Sequence, residues 1–361
     1  MFRKKYTIWF LFLLSMLCIF FCTSCQKRQT AEKESLFNEP SVASTESDPE
    51  AMKNYNYGKT FSGGTGFVKE ENRAPYYEYT GGNMKIEVVI DNGGDAFECG
   101  VSLVLDGISQ TFTLTDQSGN TTDAGLMHII QMDTQKSYTL TLEFTPNTGK
   151  KGDILNIAIG TMLEPSYMEQ YSGYGSYGKY RQHSLNVGSD VTIHMMVDAP
   201  TQQSAATLNT AHVEVPESYR AMFRSAENED RWGTDYKAEL YTDIQMVADG
   251  ISLLRVPAGK TANLTLDVFG IKADWRASLF VNHQLVEFDS GCTYFDFSTD
   301  SSSVTRVTLP VDISALPENN HAYVVLYHKS AGNPNMADGT YVYADRIGTY
   351  YFIVDSTDKA N

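Results

Sequence analysis

Oxygen-bearing side chains recur at nearly alternate positions in one short stretch of the chain. Asp116, Ser118, Asn120 and Asp123 fall within residues 116–123, and oxygen ligands of this kind suit the hard cation Ca²⁺. The stretch lacks the glutamate that ends an EF-hand loop. A plain hairpin turn would have the same composition. Two interpretations therefore remain open, a weak Ca²⁺ site and a turn without metal, and no other cofactor is expected.

Aromatic side chains are concentrated in residues 167–180, where five tyrosines are interspersed with three glycines. Each glycine would cost about 1 kcal/mol in a helix, which favours a loop. Tyrosine rings in a loop suit recognition of sugars or proteins, although a connector or a packed loop would also contain them. Two tryptophans that are adjacent to arginines could present a ring to a sugar or pack in a core. The candidate ligand-binding residues are Tyr171, Tyr174, Tyr177, Tyr180, Trp232 and Trp275.

No short catalytic motif stands out in the sequence. It contains no HExxH, no G-x-S-x-G and no Walker loop. Catalytic groups can also come from residues that are distant in sequence. We therefore predict a protein that is not an enzyme and name no catalytic residue, with an extracellular hydrolase as a weaker alternative.

The N-terminus has the layout of an export signal. Arg3, Lys4 and Lys5 precede a 14-residue apolar run, residues 8–21, whereas a helix that spans a bilayer needs about 20 residues. The run ends in Cys22-Thr23-Ser24-Cys25, which resembles the lipobox of bacterial lipoproteins, although Cys22 stands where leucine is usual. The resemblance implies cleavage after residue 24 and acylation of Cys25, including palmitate. An ordinary cleaved signal or an uncleaved anchor would be the alternatives.

Charge and cysteine content agree with export. Without the three basic leader residues, 25 of the 28 Lys and Arg remain against 44 Asp and Glu, a formal charge of −19. Such a surface is repelled by phosphate backbones, so we expect no nucleic-acid partner. Beyond Cys25 only Cys99 and Cys292 remain. They could form a bridge in an oxidising compartment or remain two separate thiols.

Most of the remaining sequence predicts β-strands. Apolar residues alternate with polar ones and turn residues separate the runs, as in sheets with one buried face. Examples are Ile86, Val88 and Ile90; Val101, Leu103 and Leu105; Leu264, Leu266 and Val268; and Val307, Leu309 and Val311. We predict an all-β fold of two tandem β-sandwiches, Ig-like or jelly-roll-like, with one short helix at 216–232. Residues 142–157 resemble residues 309–325, which hints at an internal duplication or at chance similarity between sandwiches.

These observations divide the chain into four parts. We predict a signal peptide at 1–24, a lipidated cysteine with a flexible tether at 25–56, a first sandwich at 57–200 and a second at 201–361. The predicted location is extracytoplasmic, at the cell surface and anchored to the membrane by lipid. The expected function is non-catalytic binding of carbohydrate or protein. The alternative is a structural or accessory lipoprotein of a cell-envelope complex.

Overall fold

The structure is a computed structural model that describes most residues between 63 and 354. The described ranges are 63–68, 76–166, 183–186, 191–216, 241–248, 251–252, 255–257, 259–269, 272–288, 291–300, 302–329 and 344–354. The leader, Cys25, the tether, all but the first residue of the predicted helix, and the tyrosine-rich residues 167–180 lie outside them. The described ranges contain no α-helix, and none of their elements is a helix able to cross a membrane.

Within the described ranges, the first sandwich has eleven strands in two sheets. The strands are β1 (Gly63–Phe67), β2 (Tyr76–Tyr79), β3 (Met84–Asn92), β4 (Phe97–Leu105), β5 (Ile108–Gln110), β6 (Thr113–Thr115), β7 (Met127–Met132), β8 (Lys136–Phe144), β9 (Ile154–Leu163), β10 (His183–Asn186) and β11 (Thr192–Met195). The smaller sheet has the order β1-β3-β8-β6. The larger has the order β2-β11-β9-β4-β5, with β10 on β9 and β7 on β4.

Eleven strands of the second sandwich are also described. They are β12 (Thr210–Val213), β13 (Tyr241–Ala248), β14 (Ile251–Ser252), β15 (Arg255–Val256), β16 (Thr261–Phe269), β17 (Ala273–Val281), β18 (Gln284–Leu285), β19 (Phe295–Thr299), β20 (Val304–Asp312), β21 (Asn319–His328) and β22 (Ala344–Val354). One sheet has the order β12-β20-β16-β13-β14. The other has the order β15-β22-β21-β17-β18, with β19 on β17. The all-β, sandwich fold that the sequence predicts is therefore confirmed.

Alternation along the strands places one face of each sheet in a core. In β3, Ile86, Val88 and Ile90 are buried while the residues between them are more exposed. The same pattern recurs in β16, where Leu264 and Leu266 are fully buried. Each sandwich has its own cluster of buried apolar residues between its two sheets. Burial of these side chains, at about 1.5–3 kcal/mol each, is the main stabilising term.

The two sandwiches share one topology. Nine strands of the first, β1, β2, β3, β4, β5, β7, β8, β9 and β11, match β13, β15, β16, β17, β18, β19, β20, β21 and β22 in chain order and pairing. The match includes a parallel pair at the same place, β2 with β11 and β15 with β22. The similar segments in the sequence lie on the matching strands β8–β9 and β20–β21. The hairpin registers make Ile157 structurally equivalent to Ala322, because each pairs with the residue just before the matching turn. This equivalence differs by three residues from the alignment that the sequence suggested.

Matching hairpins turn on residues with positive φ. Asp106 and Gly107 join β4 to β5 at φ 46° and 80°, and Asn282 and His283 join β17 to β18 at φ 50° and 62°. Two successive positive φ angles are typical of the two-residue turns that fit the strand twist. The sequence predicts turns at both of these dipeptides and a further turn at Asn319-Asn320. The last prediction is wrong, because these asparagines begin β21.

The two remaining cysteines lie in different sandwiches, and both are free thiols. Cys99 belongs to the first core, and burial raises the pKa of its thiol to about 12. Cys292 packs at the edge of the second core. The structure therefore favours two separate thiols over a bridge.

Two buried histidines predict a loss of stability in mild acid. Burial lowers the pKa of His128 and of His328 from the usual 6.5, so the unfolded chain binds more protons just below pH 6.5. Stability should therefore be complete above pH 6.5 and fall as the pH drops from there toward the folded values. Urea unfolding at pH 7.5 and 5.5 measures the change.

The control for this prediction is His328→Gln, which removes one of the two titrating groups. Its free energy of unfolding should fall less between pH 7.5 and 5.5 than that of the unchanged protein. Equal losses in the two proteins would show that His328 does not contribute. Because the two proteins are compared with each other, the contribution of other titrating groups such as Asp106 to the free energy of unfolding is common to both and cancels.

Candidate functional site

The larger sheets of the two sandwiches are buried on both faces. In β4 and β9, Val104, Ala158 and Met162 point away from the first core and are nevertheless at most 7% exposed. On the other side, Phe280 of β17 and alternate residues of β21 are equally buried. A shared apolar cluster joins the two sets: Met162, Phe280, Tyr323 and Val325, with Met127 and Leu285 packed against it. We call this contact the seam. Both sandwiches belong to one compact unit.

One end of the seam is a buried polar cluster around the β4–β5 turn. The Tyr327 hydroxyl donates to Oδ1 of Asp106 at 3.0 Å, and Asn156 Nδ2 lies 2.8 Å from the same hydroxyl. The Asn156 backbone N–H also donates to Oδ1 of Asp106, at 2.8 Å. Burial raises the pKa of Asp106, and the donors from Asn156 and Tyr327 oppose this rise. Burial and the nearby Asp106 carboxylate raise the pKa of Tyr327.

Arg276 extends this polar cluster across the seam. Its Nη1 donates to the backbone oxygen of Asp106 at 2.9 Å, and its Nε donates to Asp296 at 3.0 Å. The guanidinium lies 4.6 Å from the ring centre of Tyr294, and Lys329 contacts Asp296 at 2.8 Å. Burial alone would lower the pKa of Arg276, but the Asp296 carboxylate gives a net rise. Arg276 is thus a charged structural link between the sandwiches.

The opposite end of the seam contains rings from the β17–β18 hairpin. His283 Nε2 lies 2.8 Å from the backbone oxygen of Pro165, just beyond β9. Its Nδ1 lies 3.3 Å from the Tyr323 hydroxyl, and its ring centre is 4.3 Å from that of His321. The rings of Phe280 and Tyr323 stack at 5.0 Å. Groups from both sandwiches therefore meet at each end of the contact.

A small cavity lies inside the seam. Its volume is about 30 Å³, enough for about two water molecules. Lining residues from both sandwiches include Val104, Met127, Gly160, Phe280, Tyr323 and Val325. Because the space is small and mostly apolar, it suits packing rather than a substrate.

Trp275 is the one candidate aromatic residue within the described ranges, and its predicted role as a ligand-binding ring is wrong. The side chain is 0% exposed, and its Nε1 donates to Thr299 Oγ1 at 2.8 Å. The His328 ring meets it edge-on at 4.8 Å between ring centres. Trp275 therefore belongs to the second core. Tyr171, Tyr174, Tyr177, Tyr180 and Trp232, like Cys25, lie outside the described residues.

The candidate Ca²⁺ stretch forms a turn organised by Asp116. The carboxylate is buried, with Oδ1 accepting from the backbone N–H groups of Ser118 at 2.8 Å and Asn120 at 2.9 Å. Oδ2 accepts from Asn120 Nδ2 at 2.9 Å, while Asp123 is exposed. No group of three His, Cys, Asp or Glu in the described ranges is arranged to hold a metal. The turn interpretation accounts for these contacts, and calcium binding stays a prediction.

Substituting Asp116 separates the two interpretations. Asp116→Ala removes both oxygens that accept these three hydrogen bonds and should lower the free energy of unfolding by about 1–3 kcal/mol, whereas Asp116→Asn should retain part of that stability. Urea unfolding in 1 mM CaCl₂ and in chelator provides the second measurement. A turn without metal predicts equal stability in both solutions. A midpoint that rises with calcium in the unchanged protein and not in Asp116→Ala would support the metal site.

A strip of exposed and half-buried side chains continues the outer face of the first large sheet beyond the seam. Ile154 in β9 is 58% exposed and Met196, after β11, is 46% exposed. Between them, the His194 ring stacks on Tyr76 with ring centres 4.2 Å apart. Ile154 pairs with His194 across the two strands, and Asn156, two residues further, contacts Tyr327. We call Tyr76, Ile154, His194 and Met196 the open strip.

Sequence reasoning did not identify the open strip. Tyr76 and His194 are far apart in the chain and meet because β2 pairs in parallel with β11. The available signal was Ile154, which continues the apolar alternation of β9 on its outer face. One such residue does not distinguish an exposed position from a buried one.

Comparisons with known proteins give no family assignment. No protein-family model and no curated protein matches the chain. Among solved structures, it is similar to a Salmonella enterica SafA pilin–SafB chaperone complex, at 7% identity and TM-score 0.23, over 82% of this chain and 97% of that one. It is also similar to a Porphyromonas gingivalis protein of unknown function, at 9% identity and TM-score 0.21, over 82% and 99%. Such low scores support no conclusion about activity or partners.

Proposed function

We propose that this chain is a lipid-anchored extracytoplasmic protein that binds another protein and catalyses no reaction. The anchor rests on the lipobox-like residues 22–25, and the tether would hold the first sandwich on the order of 30 Å from the membrane. The binding role rests on the open strip. It is the exposed half of a sheet face whose other half already packs against a folded domain.

The side-chain geometry of the open strip favours a protein partner over a sugar. Sugars stack on flat aromatic faces, but the Tyr76 and His194 rings cover one another at an interplanar angle of 9°. Stacking thus covers one face of each ring, and the most exposed side chains of the strip are the aliphatic Ile154 and Met196. Apolar and aromatic groups with a polar rim are the usual composition at the centre of a protein interface.

The anchor is tested by metabolic labelling with a fatty-acid analogue. The unchanged chain should be labelled and should enter the detergent phase of a Triton X-114 extract. Cys25→Ala should be unlabelled and should remain in the aqueous phase or with an uncleaved leader. Label that persists in Cys25→Ala, or a chain without label, would refute lipidation at this residue.

The binding surface is tested by a photo-crosslinking residue placed at Ile154 in intact cells. A control chain has the same residue at Lys85, whose side chain is 68% exposed on the smaller sheet. We expect a discrete protein adduct from position 154 that is lost with Met196→Glu, and none from position 85. Equal adducts from both positions would contradict the proposal, as would glycan-array binding that depends on Ile154. An adduct with a subunit of a stable envelope assembly would favour the accessory role.

A further inference from the structure

We infer that the two sandwiches are halves of a fused, pseudo-two-fold pair. In this pair, the outer face of the first large sheet carries small residues and accommodates the large side chains on the outer face of the second large sheet. The shared topology gives the residue equivalences. Leu105 pairs with Ile157 beside the β4–β5 turn, and Val281 pairs with Ala322 beside the β17–β18 turn. Counting from these pairs, Val104 is equivalent to Phe280, and Gly160 is equivalent to Val325.

Contacts across the seam are reciprocal, as a two-fold relation requires. The β4–β5 turn of the first sandwich meets Tyr327 near the end of β21. The matching β17–β18 turn of the second meets Pro165 just after β9, the strand that matches β21. In a two-fold interface, if patch i of one half contacts patch j of the other, then patch j of the first half also contacts patch i of the other. Here the same two patches, a hairpin turn and the end of a central strand, meet twice.

The cavity marks the position of the pseudo-axis. Residues near a two-fold axis approach their own equivalents, and the cavity is lined by both members of two equivalent pairs. These are Val104 with Phe280, and Gly160 with Val325. The axis therefore passes close to the cavity, between β4 and β9 on one side and β17 and β21 on the other.

Side-chain size breaks the symmetry. Gly100 and Ala158 on the first face are equivalent to Arg276 and Tyr323 on the second. A Cβ atom at Gly100 would come within 2.6 Å of Met127 Sδ and 3.3 Å of Met162 Cβ, so a larger residue at this position would require Met127 to move. Two small faces would leave a gap and two large faces would clash. The first face thus fits one kind of partner, a sandwich of this topology with large side chains at the equivalent positions.

An exchange across the axis tests this inference in the full chain. Val104→Phe overfills the seam and Phe280→Val empties it, so each should raise the equilibrium constant for unfolding roughly 5- to 30-fold. Because the two positions face one cavity, Val104→Phe/Phe280→Val should return to within about threefold of the unchanged chain. The coupling is read as a double-mutant cycle from urea unfolding.

The matched control combines Val104→Phe with Phe297→Val, since Phe297 is 7% exposed like Phe280 but packs in the second core. Its two effects should multiply. Should Val104→Phe not fold, Val104→Leu with Phe280→Leu provides the same cycle in a milder form. If the changes in the unfolding equilibrium constant caused at positions 104 and 280 simply multiply in both cycles, the two positions are not coupled and the inference is overturned.

Discussion

Trp275→Ala is expected to destabilise the protein by about 3–5 kcal/mol, the usual cost of removing a large aromatic side chain from a core. Trp275 is fully buried, and its truncation also leaves Thr299 without the indole donor. The loss is measured by urea unfolding followed by circular dichroism. We expect a chain that is largely unfolded at 37 °C or has a much lower midpoint.

The control is Ile154→Ala, which truncates another apolar side chain, in the first sandwich. Ile154 is 58% exposed, so its truncation should change the free energy of unfolding by less than about 0.5 kcal/mol. The pair separates core packing from surface binding. Unchanged stability in Trp275→Ala together with loss of sugar binding would restore the ligand interpretation of this ring.

Gly107→Ala is expected to lower the free energy of unfolding by about 3 kcal/mol through two additive causes. Gly107 has φ of 80°, where an L-residue costs about 1–2 kcal/mol. A Cβ there would also lie 2.6 Å from Tyr327 Cβ and 2.7 Å from Tyr327 Cγ, and such overpacking costs about 1–3 kcal/mol. Thermal unfolding should show a lower midpoint and looser coupling between the sandwiches.

Gly119→Ala is the matched control for this substitution. Gly119 has φ of 86°, and nothing lies within 4 Å of an added Cβ, so only the backbone cost of about 1–2 kcal/mol applies. The difference between the two variants isolates the contact across the seam. Equal losses would mean that the turn and Tyr327 are not packed together.

The strands and their cores were predictable because one buried face produces a period of two. Ile86, Val88 and Ile90 illustrate this, since their alternation leaves one orientation of the strand relative to the core. The central strands of the two large sheets, β4, β9, β17 and β21, behave differently because both of their faces are covered. In β21, nine successive residues are buried, and an unbroken apolar run such as residues 322–327 is the pattern of a strand covered on both faces. Because Val324 and Leu326 in this run also fit a simple alternation, the sequence alone did not indicate the seam.

The candidate site was less predictable, since pairing between distant segments creates it. Asp106 and Gly107 indicated a turn in the sequence, but only the packing of one sandwich on the other places Tyr327 against them. The ring of Trp275 illustrates the opposite error. An arginine beside a tryptophan is compatible with a sugar site, but alternate residues on a strand point to opposite faces. Arg276 accordingly faces the seam while Trp275 enters the core.

A fixed distance between the two sandwiches is the most direct test of the seam. Spin labels at Ala124→Cys in the first sandwich and Ala315→Cys in the second, with Cys292→Ser, can be measured by pulsed electron resonance; both positions are exposed. Interlocked faces predict a single narrow distance distribution that broadens in Gly107→Ala. A broad or double distribution in the otherwise unchanged chain would contradict a rigid seam and the account built on it.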